Sequence, residues 1–349
     1  MSALPPLGAA AFLASLLLSR AVLHYARSRG VLDLPGERSS HTRPTPRGGG
    51  LGMVAVVLGG VALLAATGRL PAPAGIALLG GGALVALVGW RDDVRRLSAP
   101  ARLAAHFAAA VWAVAWLGGL PSLVIGAEAV RLGPAGVVLA VLAIVWAINL
   151  YNFMDGIDGL AAGEAVIVGL LAAAFLGSRN PALAAVAVTT AGAAAGFLPW
   201  NWQRARMFMG DVGSGFLGFV LAALALASEN AGALPALVWL LLLGVFFADA
   251  TITLIRRVVR RERWYAAHRG HAYQRATQAG WSHAQVTSAI LLLDGVLGIA
   301  AWLCLRRPAL LPPMLLLVTL ALTGVYLLVE RRRPMHRETA GASMEKPVR

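Results

Sequence analysis

The chain has 349 residues, of which 58% are hydrophobic and only 13% charged, with a mean hydropathy of +0.72 and a formal charge of +14. This composition argues against a soluble domain, because stretches of about 20 apolar residues, long enough to cross the hydrocarbon core as helices, recur from end to end. The one cysteine, Cys304, lies inside an apolar run, which excludes an intrachain disulfide and makes redox chemistry a poor reading.

In chain order, apolar spans are expected at 5–25, 49–68, 72–90, 101–118, 133–150, 160–177, 181–199, 213–229, 234–255, 286–305 and 308–330. The fold class is therefore an all-α integral membrane protein, a polytopic bundle of about 11 transmembrane helices. The first run lacks a basic start and is followed by many similar spans, so it reads as a membrane helix rather than a removable signal peptide. Lys and Arg divide 24 to 5 between the two sets of loops, and short cationic loops are retained on the cytoplasmic side. With an odd number of spans the N-terminus is expected outside and the C-terminus cytoplasmic. One membrane domain covers 1–333, and the basic tail 334–349 is expected to be disordered. Most of the positive charge serves topology and attraction to anionic lipid headgroups. Without a soluble domain or an aromatic and basic platform, nucleic acid is not an expected partner.

The acids are distributed more tellingly. Asp92 and Asp93 follow the third span, Asp155 and Asp158 the fifth, Asp211 opens the eighth, and Asp249 is expected to end the ninth, all on the cation-rich side. The opposite loops hold only Glu128 and Glu229, while Glu164 and Asp294 lie deeper in spans. Ionisable groups in a membrane segment cost roughly 2.5 to 3.5 kcal/mol each at a helix centre, so a layer of them marks a site. Carboxylates crowded at one depth need a compensating cation, and hard oxygen ligands suit Mg²⁺, with Mn²⁺ as the alternative. Helix caps explain Asp158 or Asp211 taken singly. They do not explain the adjacent Asp92 and Asp93, nor Asn149, Asn152, Asp155 and Asp158 at a constant step of three, a polar ribbon if the helix continues.

Two loop segments on the same side add other chemistry. "SSHTRPTPRGGGLG", residues 39–52, combines hydroxyls such as Thr45 with Arg47 and a glycine run that lets backbone approach a phosphate, although any loop uses Pro and Gly. "WYAAHRGHAYQRATQAGWSH", residues 264–283, places His268 and His271 three apart beside Arg269, suited to one phosphate or to proton transfer near neutral pH. Zinc is disfavoured there, since no third soft ligand is near. Phe208, in "NWQRARMFMGDVGSGFLGF", serves either as an interface aromatic or as a face for a stacked base.

"RPTPRGGG", "GWRDDVRRLSAPARLAAHF", "NLYNFMDGIDGLAAGEA", "NWQRARMFMGDVGSGFLGF" and "HRGHAYQR", in this order across about 33–285, resemble the polyprenyl-phosphate N-acetylhexosamine-1-phosphate transferases of glycosyltransferase family 4. The eleven spans fit its O-antigen and enterobacterial-antigen branch, related to phospho-N-acetylmuramoyl-pentapeptide transferase. The resemblance implies a Mg²⁺-dependent transfer of a sugar 1-phosphate from a UDP-N-acetylhexosamine, or a 6-deoxy N-acetyl sugar, to undecaprenyl phosphate. UMP leaves, and the product is the first lipid-linked intermediate of a cell-envelope glycan. It further implies that Asp211, with Asp155, holds the metal and that Asp92 and Asp93 stand beside the attacking lipid phosphate. Asn152, Asp155 and Asp158 would position the nucleotide sugar, Asn201 would bind the nucleoside, Phe208 would stack on uracil, and His268 and His271 would bind phosphate. Thr45, Arg47, Asn149 and Arg269 complete the expected substrate contacts. Ala272 follows His271 where some branches carry a second adjacent histidine, which puts the peptidoglycan-precursor substrate in doubt.

The expected place is a bacterial inner membrane with the site on the cytoplasmic face, where a soluble donor meets a lipid phosphate. The partners are the two substrates and membrane lipid, with a homodimer allowed. A phosphate monoester is largely dianionic at pH 7, so direct attack on the β-phosphorus is expected over an aspartyl-phosphate intermediate. A polyprenyl-phosphate phosphatase is the alternative enzyme. A transporter fits less well, since its coupling groups belong near the midplane.

Overall fold

The computed structural model describes residues 4–33, 43–262 and 268–335. Thirteen α-helices dominate the described residues. They are α1 (Leu4–Arg29), α2 (Gly50–Ala66), α3 (Ala72–Val94), α4 (Ala99–Leu117), α5 (Pro134–Met154), α6 (Leu160–Leu176), α7 (Pro181–Asn201), α8 (Asp211–Asn230), α9 (Ala236–Leu242), α10 (Gly244–Val259), α11 (Ala272–Gln278), α12 (His283–Arg306) and α13 (Leu311–Arg332). Each of the eleven expected apolar spans falls on helix. Eight of the helical segments are long and apolar enough to cross a bilayer; α2 and α6, at 17 residues each, are shorter. The ninth expected span is not one rod: α9 and α10 meet at an 83° bend around Leu243. Asp249 consequently sits within α10 instead of ending a span.

Two antiparallel strand pairs were not expected from the apolar pattern: β1 (Leu32–Asp33) with β2 (Thr45–Pro46), and the hairpin β3 (Ser122–Ile125) with β4 (Glu128–Arg131). Glu229 ties that hairpin to α9, accepting the Val124 N–H at 2.7 Å and the Ala236 N–H at 2.6 Å. One of the two acids on the cation-poor side is thus a structural staple.

Helices α7 and α8 are the most enclosed, whereas α1, α4 and α13 turn mostly outward. Lipid is as apolar as leucine, so packing in a membrane relies on small residues that let backbones approach and on interhelical hydrogen bonds. The α1–α7 seam does this with Gly8, Gly192 and Gly196, and Ser15 donates to the Ala193 carbonyl at 2.6 Å. On the other side of the core, α8 packs against α3 and α5. A Cβ at Gly89 would lie 2.5 Å from the Asp211 carbonyl oxygen, and one at Gly218 would lie 2.4 Å from that of Ala147. This closeness brings the ends of α3, α5 and α8 to one place.

The same arithmetic predicts opposite signs for two glycines. Gly218→Ala should lower the melting temperature of the purified protein, as overpacking typically costs about 1–3 kcal/mol. Gly295→Ala, with nothing within 4 Å of the added carbon, should leave it unchanged or raise it slightly. Equal shifts would contradict the packing described.

Candidate active site

The site is built on an exchange of helix ends. Gly210 (φ 76°) turns the chain into α8 and offers no side-chain cap. Asp93, from the last turn of α3, supplies the cap: its carboxylate accepts the N–H of Asp211 at 2.9 Å and of Val212 at 3.2 Å. The positive end of the α8 dipole favours a carboxylate there. Arg47, three residues before α2, then bridges two elements, with Nε 2.7 Å from Asp93 and Nη2 2.6 Å from Asp211. Arg102, in the first turn of α4, joins Asp211 at 3.0 Å to Asp92 at 3.1 Å, and Asp92 also accepts the Leu97 N–H at 2.6 Å. Asp92, Asp93 and Asp211, separated by more than a hundred residues, are one cluster. Burial draws the Arg47 guanidinium down, but Asp93 and Asp211 outweigh it and hold it above its ordinary value.

The polar ribbon expected along α5 is broken. Asn149 and Asn152 are helical, but α5 ends at Met154, and Asp155 and Asp158 lie in the loop before α6. Asn149 donates to the Val145 carbonyl and stands 3.3 Å from His106 Nδ1, while Asn152 donates to Ser214 Oγ at 3.0 Å. Asp158 caps no helix; it accepts the N–H groups of Arg204 and Ala205 and lies 3.4 Å from His283. Among the described residues Asp155 alone of the site carboxylates has no hydrogen-bond or ion-pair partner. Exclusion of water, together with the charges of Asp211, Asp93 and Asp158, pushes its carboxyl well above the ordinary range against the pull of Arg47.

Beside this cluster opens a cavity of about 810 Å³ lined by Arg27, Arg43, Arg204, Arg206, Thr45, Asp158, Phe208 and His283, among others. Phe208 is fixed in its wall by backbone bonds, its N–H to the Pro46 carbonyl at 2.8 Å and its carbonyl to the Gly49 N–H at 2.9 Å. Asn201 differs from expectation. It does not line the cavity, and its buried amide accepts the Gly159 N–H and donates to the Met207 carbonyl, so it holds two loops together behind the wall.

A third group faces the end of α5. His268 and His271 stack with ring centres 4.9 Å apart, and His271 stacks on Phe153 and Tyr273. Tyr273 donates to the Phe153 carbonyl at 2.8 Å, two residues from Asp155. Asp249 caps α11 through the Ala272 and Tyr273 N–H groups and stands 3.4 Å from His271 Nδ1. Arg269 is on this loop, outside the arginine-lined cavity.

Sequence reading missed Arg102, His106, Ser214 and the pocket arginines. Arg102 and His106 stand four apart in "ARLAAHF", one face of a helix beginning just after the aspartate pair, which is the signal that was available. Residues 39–42 and 264–267 of the two loop motifs fall outside the described residues.

The arrangement defines a multi-pass membrane protein with a carboxylate and arginine centre at one end of its helices, next to a cationic cavity with an aromatic wall. Residues 75–229 match glycosyl transferase family 4. The chain is 30% identical to the probable undecaprenyl-phosphate N-acetylglucosaminyl 1-phosphate transferase of Bacillus subtilis, over 83% of each chain. It is 33% identical to the decaprenyl-phosphate N-acetylglucosaminephosphotransferase of Mycobacterium tuberculosis, over 78% of this chain and 75% of that one. A phospho-N-acetylmuramoyl-pentapeptide-transferase of Synechococcus is 36% identical over 66% of this chain and 68% of its own. The chain belongs to glycosyl transferase family 4 and is a transferase.

His268 gives a test of the third group. Burial, then the neighbouring His271 and Arg257, lower its imidazole to about 3 from an ordinary 6.5. The unfolded chain therefore binds the extra proton between these values, and stability is lost as pH falls from about 6.5 toward 3. Between pH 7 and pH 4 the wild type should lose more melting temperature than His268→Gln; equal losses would contradict a half-buried, neutral imidazole.

Proposed function

We propose that the chain transfers a sugar 1-phosphate from a UDP-N-acetylhexosamine to undecaprenyl phosphate, releasing UMP and forming the first lipid-linked intermediate of a cell-envelope glycan. The observation that carries this reading is the Asp92, Asp93 and Asp211 cluster bound by Arg47 and Arg102, together with an arginine-lined cavity whose wall includes Thr45, Pro46 and Phe208, close in sequence to Arg47 and Asp211. Two of the relatives above are named for N-acetylglucosamine transfer, which favours UDP-N-acetylglucosamine as donor. The site is read as facing the cytoplasm from a bacterial inner membrane, and the uneven division of cations supports that orientation.

Phe208 offers its ring to the uracil, and the pocket arginines hold the diphosphate; guanidinium forks suit phosphate oxygens. Asp158 lines that cavity, oriented by His283 and the 204–205 backbone, and would face the sugar of the donor. Arg47 and Arg102 offset the repulsion between two anionic substrates, the main barrier when the attacking phosphate is already dianionic at pH 7. The lipid phosphate oxygen forms a bond to the β-phosphorus, the bond from that phosphorus to the bridging oxygen breaks, and UMP departs with the electron pair. Asp92 and Asp93, already engaged by Arg102 and Arg47, are not required as bases.

The donor set suits Mg²⁺. Four carboxylates, Asp92, Asp93, Asp155 and Asp211, stand against two guanidiniums, and Asp155 lacks a partner. Among the described residues no group of three or more His, Cys, Asp or Glu is placed to hold a metal ion, so any ion here would rest on fewer side chains and on substrate oxygens. Mg²⁺ usually takes one or two carboxylates and leaves positions for substrate phosphates, which matches Asp155 and Asp211. When bound, the ion would neutralise charge developing between the two phosphates.

Asp211→Asn should abolish Mg²⁺-dependent UMP release, by at least about a hundredfold, while the protein still purifies as a monodisperse species. Near wild-type turnover would remove Asp211 from the centre. With donor carrying ³²P in its β-phosphate and no lipid, the protein should stay unlabelled; label resistant to denaturation would replace direct attack by a covalent route.

A further inference from the structure

The loop carrying His268 and His271 is held from outside by the last helix. Arg275, 1% exposed, donates through Nε to the Gly270 carbonyl at 3.0 Å, between the two histidines. Its Nη1 meets the Glu330 carboxylate and donates to the Arg333 carbonyl at 3.0 Å, and its guanidinium lies 4.8 Å from the centre of the Tyr326 ring. Glu330 also takes both ends of the Arg256 fork, at 2.6 and 2.9 Å, so it joins α10 to the loop. The Met335 side chain closes the same contact, 2.9 Å from where a Cβ on Gly270 would stand.

Such convergence exceeds what holding α13 in place requires. One carboxylate is shared by two guanidiniums, and the more buried of these grips the backbone between the two imidazoles. The bidentate pairing of Glu330 with Arg256 fixes the direction of the carboxylate as well as its distance, and Arg275 joins it through Nη1. We infer that Glu330 is a positioning residue for the transfer reaction, acting through Arg275 and the Gly270 carbonyl to hold His271, with His268 stacked on it, against the end of α5. The inference rests on the proposed transfer reaction and on the expectation, from the family resemblance, that His268 and His271 contact phosphate in it. A shift of about 1 Å in a group at the reacting centre costs on the order of a hundredfold in rate, so a clasp of this kind is felt in turnover more than in substrate capture.

The experiment is a double-mutant cycle on the full chain in phosphatidylglycerol nanodiscs, with UDP-N-acetylglucosamine and undecaprenyl phosphate as substrates and UMP release as the readout. Glu330→Gln should lower kcat roughly tenfold or more with the donor KM nearly unchanged, and Glu330→Asp should recover part of the loss. In a His271→Gln background the same Glu330→Gln change should cost less than about twofold, because the group it positions is gone. Wild-type kcat in Glu330→Gln, or an equal fold-loss in both backgrounds, would overturn the inference. An impaired His271→Gln beside an unimpaired Glu330→Gln rejects the clasp alone, whereas wild-type turnover in His271→Gln rejects the role of the loop and the clasp with it. If Glu330→Gln does not accumulate as folded protein, Arg275→Lys, which keeps the charge and loses the fork, carries the same comparison.

Discussion

The carboxylate of Asp93 on the N-terminus of α8 is the interaction on which the rest of the site depends. It satisfies two backbone donors that would otherwise be left bare at a helix start, and it is itself neutralised by Arg47. Because Arg47 also reaches Asp211, the loop before α2, the end of α3 and the start of α8 are locked by one set of charge-assisted bonds. Separating buried partners of this kind leaves an uncompensated charge, a cost of about 3–5 kcal/mol. Close glycine contacts make the geometry attainable, since a side chain at position 89 would push α3 off the Asp211 backbone.

From this centre the chemistry divides by charge. Asp211 and Asp92 share Arg102, the cavity beyond Asp158 is lined by arginines and Phe208, and the histidine loop closes the side nearest α5. Asp155 stands among the three groups with a carboxyl made hard to ionise first by burial and then by the neighbouring carboxylates. A cation in that position would reverse the local preference and allow Asp155 to charge. Under the proposed function, placing a dense set of charges at the ends of helices, rather than at mid-membrane, would let both a polyanionic soluble donor and a lipid phosphate reach it.

Much of this was legible in the sequence because the bilayer imposes a strong signal: apolar runs marked every α-helix among the described residues except α11, and acids stood out against them. Asp92, Asp93, Asp155, Asp158 and Asp211 were found as one layer for that reason. The 83° break at Leu243 carries no such signal, since Leu243 and Gly244 sit in an unbroken apolar stretch. Pairings across the chain were equally hidden. Nothing in "ARLAAHF" says that Arg102 meets Asp211, and Asn201 looked like a ligand-binding amide until its bonds to Gly159 and Met207 identified it as a strut. Asp249 reads as a span terminus and Glu330 carries no signal in the sequence, while in space both hold the histidine loop.

The most direct measurement of the central claim is the lipid dependence of nucleotide release by the purified wild-type protein. With UDP-N-acetylglucosamine alone no UMP should form; with undecaprenyl phosphate added, UMP should appear in equal amount to a lipid diphosphate sugar. Release of UMP without the lipid, or of inorganic phosphate from the lipid without the donor, would contradict the account.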